Sequence, residues 1–164
     1  MLIGKKEFLV EGPMLEAGAP APDFRLTANN WSIKTLSDYA DKVKIFSIVP
    51  SLDTRVCAAQ TRRFNQEAGE MGDSAVVLTV STDLPYAQQR WCGAEGISNV
   101  ETLSDHRDVN FGAAYGLLVP ELRILQRAVI ILDRQNLVQY VEYVPVMGNE
   151  VNFNAALEAA RALL

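Results

Sequence analysis

Apolar positions along the chain fall into two kinds of run. VKIFSIV (43–49) and AVVLTVS (75–81) are nearly unbroken and rich in β-branched residues, the pattern of strands buried on both faces. Between them, CAAQTRRFNQEAGEM (57–71) sets Cys57, Phe64, Ala68 and Met71 at helical intervals, with Gly72 as a stop. Beyond the second run, Asp83 stands where a cap would open a helix over LPYAQQRWC (84–92), and Gly93 where that helix would close. Val100 to Leu103 reads as a short strand, and RDVNFGAAY (107–115) as a helix. RAVIILD and LVQYVEYV, within 127–144, read as two strands around a polar turn. EVNFNAALEAARALL (150–164) is an alanine- and leucine-rich closing helix.

The N-terminal third is more broken. KKEFLVE (5–11) and FRLT (24–27) read as short strands of an N-terminal β-hairpin extension, separated by the Gly/Pro-punctuated GPMLEAGAPAPDF (12–24). Leu36 to Tyr39 opens a short helix capped from Thr35 or Ser37. Strand–helix–strand–helix, then a hairpin and a last helix, predicts an α/β sandwich: a central mixed sheet flanked by helices. A thioredoxin-like fold satisfies that order. With 164 residues and 49% hydrophobic content the chain has the size of one domain, 1–164.

Charge narrows the function. A formal net charge of −5 leaves no basic face for nucleic acid or for an anionic membrane. No apolar run approaches the ~18 residues of a membrane span. MLIGKKEFLVEGPM has no apolar stretch of a secretory signal behind its lysines, so a cytoplasmic location is expected. A lasting structural disulfide is not expected there. The two cysteines, Cys57 and Cys92, are then inert core thiols, metal ligands or redox groups.

Cys57 follows a buried strand at the opening of a helix, in PSLDTRVC (50–57). The first turn of a helix offers free N–H groups and the positive end of the dipole, which stabilise a thiolate. Thr54, three residues earlier, can turn its hydroxyl toward the sulfur, and Pro50 ends the strand and can shield one side. The same stretch also reads as a buried cysteine behind an ordinary N-cap, since Ser51, Asp53 and Thr54 can all cap. Other chemistries fit less well. His106 is the only histidine and stands about fifty residues from Cys57, so a Cys–His pair has no local support. Two cysteines and one histidine without CxxC or HxxxH spacing are poor zinc ligands, and no Gly-rich phosphate loop stands in the sequence.

Pro50-x-x-x-Thr54-x-x-Cys57 matches the active-site motif of the peroxiredoxins, and PSLDTRVCAAQTRRFNQ resembles their thiol peroxidase subfamily, the atypical 2-Cys type. STDLPYAQQRWCGAEG (81–96) is similar to the segment that carries that subfamily's resolving cysteine, here Cys92. QRAVIILD (126–133) resembles the strand bearing the family's active-site arginine, here Arg127, and SDHRDVNFGAAYG (104–116) matches as well. The resemblance spans essentially the whole chain. Two departures, Trp91 in place of a phenylalanine and the lack of a glycine shortly before Arg127 in GLLVPELRILQR (116–127), bear on the pocket rim and the choice of reductant.

The resemblance implies a thiol-dependent peroxidase. Cys57 would attack hydrogen peroxide or an organic hydroperoxide, with Arg127 and Thr54 stabilising charge. Cys92 would resolve the sulfenic acid as an intramolecular disulfide, which thioredoxin would reduce. It also implies a homodimer and no cofactor or metal. Arg55, Arg62 and Arg63 read mainly as a solvated helix face. The alternative is a redox sensor or binding module that uses the same cysteine pair, oxidised once and read by a partner.

Overall fold

The computed structural model describes all 164 residues. Fifteen elements follow in order: β1 (Leu2–Ile3), β2 (Lys6–Glu7), β3 (Leu26–Ala28), β4 (Ile33–Lys34), β5 (Val43–Ile48), α1 (Arg55–Met71), β6 (Ala75–Ser81), α2 (Pro85–Glu95), β7 (Glu101–Ser104), α3 (Asn110–Ala114), β8 (Leu118–Val119), β9 (Ile124–Leu125), β10 (Ala128–Leu132), β11 (Val138–Tyr143) and α4 (Phe153–Arg161). Two short 3₁₀ segments add to them, Leu36–Tyr39 with Thr35 at its N-cap and Gly72–Ser74 after α1.

Seven strands form one mixed sheet in the order β11-β10-β5-β6-β7-β3-β4. The β5, β6 and β7 strands run parallel, joined by α1 and α2 as crossovers, while β10 and β3 flank them antiparallel. This is the expected thioredoxin-like arrangement.

The alternation along β5 shows how sequence divides the core. Phe46 and Ile48 join an 18-residue cluster with Phe24, Phe111 and Tyr115 on one face. Val43 and Ile45 face the other way, into a 12-residue cluster with Phe64 of α1 and Ala156 and Leu157 of α4. Ser47 shares this second face, so a hydroxyl points from the central strand toward α1. Buried Glu67 of α1 takes salt bridges from Arg63 at 3.0 Å and from Arg161 of α4 at 2.7 Å, locking the two helices of that layer together.

Several boundaries differ from the pattern-based reading, each for a local reason. The first helix begins at Arg55, two residues before Cys57, because Thr54 supplies the extended N-cap. The second begins at Pro85 with Leu84 as N-cap, so Asp83 does not cap it. It also runs through Gly93 to Glu95 and ends at Gly96, whose φ of 65° gives the left-handed C-cap. The segment 24–27 contributes not to the extension but to β3, inside the main sheet beside β7. The extension is the hairpin of β1 and β2, with Gly4 in the left-handed region at its turn (φ 61°). GLLVPELRILQR folds back on itself as the β8–β9 hairpin.

Candidate active site

Pro50 and the 51–54 turn carry the chain from β5 into α1. The first ladder bond of the helix is donated by the Ala58 N–H to the Thr54 carbonyl, 2.9 Å away. The N–H groups of Arg55, Val56 and Cys57 therefore precede the ladder, at the positive end of the helix dipole. No acidic side chain occupies this first turn. Cys57 is the third helical residue and is 0% exposed.

Two side chains meet its sulfur. The Thr54 hydroxyl donates to Sγ at 2.6 Å rather than capping the helix amides. The Arg127 guanidinium donates to Sγ through Nη2 at 3.3 Å. Arg127 comes from the residue just before β10, so strand pairing of Ala128 with Ile48 brings its guanidinium level with the end of β5. It is 1% exposed, and none of the ion pairs in the chain includes it. A buried cation without a carboxylate is expensive, and the group within its reach that can carry negative charge is Sγ of Cys57.

Two neutral oxygens hold the guanidinium's terminal nitrogens, while its buried Nε has no partner. Nη1 donates to Gln60 Oε1 at 2.8 Å, and Nη2 also donates to the Met147 carbonyl at 3.2 Å. The Gln60 amide is itself fixed, donating from Nε2 to Ser47 Oγ at 2.9 Å. Met147 is held from the other side: its N–H donates to the Leu2 carbonyl at 2.9 Å, so the N-terminal hairpin braces the carbonyl that holds the arginine.

A cavity of about 310 Å³ opens on this cluster. Thr54, Arg55 and Arg127 form its polar part, and Ile3, Val56 and Met147 its apolar part. A small polar group bonded to an apolar tail would find matching surfaces there. Pro50 is buried beside the turn and, lacking an N–H, adds no competing donor.

Cys92 lies apart from this pocket, half-buried on α2 beside a second cavity of about 360 Å³ lined by Asn29, Ile97 and Thr102. Burial pushes its thiol pKa up, against a weaker opposing pull from the Thr102 hydroxyl, 3.9 Å from Sγ. The two cysteines are free thiols that share one small cluster. Cys57 belongs to it with Val49, Leu52, Ala58 and Trp91, and Cys92 packs against it. His106 is elsewhere, bonded through Nδ1 to Ser104 at 2.9 Å and edge-on to Trp31. Arg62 and Arg63 are exposed and paired to Glu95 and Glu67, whereas exposed Arg55 lines the cavity beside Thr54.

Pattern reading missed Gln60 and Asp83 as parts of this region. Gln60 had a signal: a polar residue three positions after Cys57 lies on the same helix face, and here it is 1% exposed. Asp83 had a misleading one. Its carboxylate does not open α2 but crosses to the Cys57 turn, accepting from Ser51 Oγ and from the Leu52 N–H, each at 2.8 Å.

A thioredoxin-like sheet that presents a buried thiol at a helix start, with a hydroxyl and a guanidinium on its sulfur, defines a thiol-based redox protein. The Redoxin family model matches residues 16–157. Thiol peroxidase of Bacillus subtilis (strain 168) is 52% identical over 153 residues, 93% of this chain and 91% of that protein. Thiol peroxidase of Streptococcus pneumoniae (strain ATCC BAA-255 / R6) is 52% identical over 152 residues, 93% of each. Among solved structures, a peroxiredoxin-like protein from Aquifex aeolicus superimposes with a TM-score of 0.89 at 35% identity, over 96% of this chain and 92% of that one. A thiol peroxidase from Chromobacterium violaceum shares the fold, with a TM-score of 0.86 at 21% identity over 97% of this chain and 93% of that one. The chain belongs to the redoxin family, on the thiol peroxidase branch of the peroxiredoxins.

Proposed function

We propose that this peroxiredoxin reduces hydrogen peroxide and organic hydroperoxides at Cys57. The observation that carries this reading is the pair of donors on its sulfur, Thr54 and Arg127, both lining one cavity. The Cys57 thiolate attacks one peroxide oxygen; an S–O bond forms as the O–O bond breaks. Sulfur loses two electrons to the peroxide, the departing alkoxide or hydroxide takes a proton, and Cys57 becomes a sulfenic acid. Arg127 faces the charge spread over the separating oxygens, and Thr54 can move its donor from sulfur to oxygen. Pro50 keeps one side of the thiol covered.

Cys92 then attacks the sulfenic sulfur, releasing water and closing a disulfide within the chain. Burial favours the thiol form of Cys92 until α2 loosens. Thioredoxin, by resemblance, supplies the two electrons that restore both thiols, and a cytoplasmic homodimer is the expected state. A coupled assay with thioredoxin, its reductase and a panel of hydroperoxides tests this. Cys57→Ser should abolish turnover with the fold intact, and Cys92→Ser should trap a sulfenic acid and lose thioredoxin-supported turnover. Peroxide consumption by Cys57→Ser at the wild-type rate would overturn the assignment. One stoichiometric oxidation without turnover would instead identify a redox sensor.

A further inference from the structure

The turn that carries Thr54 and the helix that carries Cys92 meet at one carboxylate. Asp83 Oδ1 accepts from the Ser51 hydroxyl at 2.8 Å, and Oδ2 accepts from the Leu52 N–H and the Ser81 hydroxyl, each at 2.8 Å. On the turn side, the Ser51 carbonyl accepts from the Thr54 N–H at 3.3 Å, leaving the single hydroxyl proton of Thr54 for the sulfur. The Thr54 hydroxyl in turn reaches Cys57 Sγ. On the helix side, the Ser81 oxygen that donates to Asp83 accepts from Gln88 Nε2 at 3.0 Å. Gln88 is fully buried on α2, one turn before Cys92, and also donates to the Leu103 carbonyl at 3.0 Å. The hydrogen-bond path from Thr54 to the Cys92 helix is therefore continuous: Thr54, Ser51, Asp83, Ser81, Gln88.

Asp83 has a local partner in Ser81, but that bond does not account for its reach to the Cys57 turn. It is not the N-cap of α2, and its partners Ser51 and Leu52 lie more than thirty positions away in sequence. The helix it helps to anchor buries few residues of its own, Pro85, Gln88 and Trp91. Such an element opens locally at low cost, so a shared polar anchor can decide when it opens.

We propose that Asp83 is a positioning residue that ties the Cys57 turn and the Cys92 helix into one cooperative unit. While the carboxylate holds Ser51 and Leu52, Thr54 stays on the sulfur and α2 stays shut. Once it lets go, both elements are released together, which is the rearrangement disulfide closure needs. The kinetic part of this inference rests on the peroxidase reading; the structural coupling does not.

Two readouts test it separately. In the reduced protein, hydrogen exchange followed by mass spectrometry should show residues 51–57 and 85–95 accelerating together in Asp83→Ala, by about tenfold for the loss of charge-assisted bonds, with β5 unchanged. Asp83→Asn should largely restore both. Its oxygen can accept from Leu52 and Ser81, and its NH₂ can donate to a rotated Ser51 hydroxyl. Ser51→Ala, a milder lesion, should move both segments in the same direction by less. In rapid mixing with peroxide, Asp83→Ala should slow sulfenic acid formation by roughly 10–100-fold through a displaced Thr54. The same variant should quicken disulfide closure.

Acceleration of one segment alone, no change in either, or an Asp83→Asn variant as perturbed as Asp83→Ala would overturn the coupling. Slowing of both kinetic phases together would also overturn it. If the exchange behaviour holds but the wild type does not consume peroxide, the functional reading falls and the coupling stands.

Discussion

Arg127→Ala is the sharpest perturbation of the sulfur's surroundings. A unit charge pair at the 3.3 Å between Nη2 and Cys57 Sγ is worth about 5 kcal/mol at an effective dielectric of ~20. On the proposed reaction, part of that attraction already acts on the attacking sulfur before the barrier is reached and does not lower it. What counts is the share that grows as charge moves onto the peroxide oxygens, and loss of a preorganised donor of this kind costs ~10²–10³ in rate. The variant should therefore form sulfenic acid about 10²–10³ times more slowly. Folding should survive. Removal leaves Gln60 Oε1 and the Met147 carbonyl without a partner, at about 1–3 kcal/mol each, but it also removes a buried cation that has no carboxylate beside it. Arg127→Lys keeps the charge, yet one ammonium cannot span Gln60, Met147 and the sulfur as a planar fork does, so strong impairment should persist. The assay is stopped-flow fluorescence of Trp91, which packs in the Cys57 cluster, in a Trp31→Phe background because Trp31 is exposed. A sulfenic acid phase at the wild-type rate in Arg127→Ala, with a native denaturation midpoint, would show that the guanidinium does not act on the reaction.

Thr54→Val should slow the same phase by roughly 10²-fold while costing little stability, because the lost hydroxyl serves the sulfur and makes no bond to the helix amides; Thr54→Ser should recover most of the rate, and an equally slow serine variant would refute a hydroxyl-based role. Asp105 gives a pH signature of the fold instead. It accepts from the Phe111 and Gly112 N–H groups, yet burial raises its pKa from 3.8 to about 6. The folded acid thus binds its proton more tightly than the unfolded one, so this group's contribution is lost as pH rises from about 4 through 6, in total on the order of 3 kcal/mol. Denaturant titrations at pH 4 and pH 7 should show Asp105→Asn losing less stability, or gaining more, over that interval than the wild type; parallel curves would refute the shift.

What could be read from the sequence was whatever depends on neighbours along the chain. The β-branched runs of β5 and β6, the helical spacing behind Cys57 and the central order of strands and helices all show in the pattern, because burial on both faces or on one stripe leaves a period. The ends of helices were less legible. Gly93 and Asp83 each have a residue type suited to a boundary, but the left-handed conformation falls on Gly96, and the Asp83 carboxylate is taken by Ser51, Leu52 and Ser81. Very short strands such as β4, β8 and β9 have only two residues each, too few to show alternation. The Met147 carbonyl, and the bond that Gln60 makes to Arg127, were hidden for a different reason. Their roles exist only once β10 has brought Arg127 alongside β5, and no local pattern encodes that register.

The site also sets two demands against each other. Cys57 Sγ has polar partners in Thr54 and Arg127, while its residue is packed against the apolar Val49, Leu52, Ala58 and Trp91. Close packing around a fully buried sulfur fixes the two donors to within a fraction of an ångström, which is what a charge-stabilising site needs. On the apolar side an added oxygen atom would be crowded and its polarity misplaced, so only the side of Thr54, Arg127 and the cavity can take it. Cys92 and Ile97 pack against this cluster from the α2 side, so strain introduced at Cys57 falls on the contacts that keep Cys92 in place. On the proposed reaction, oxidation of the first cysteine therefore weakens the packing that separates it from the second.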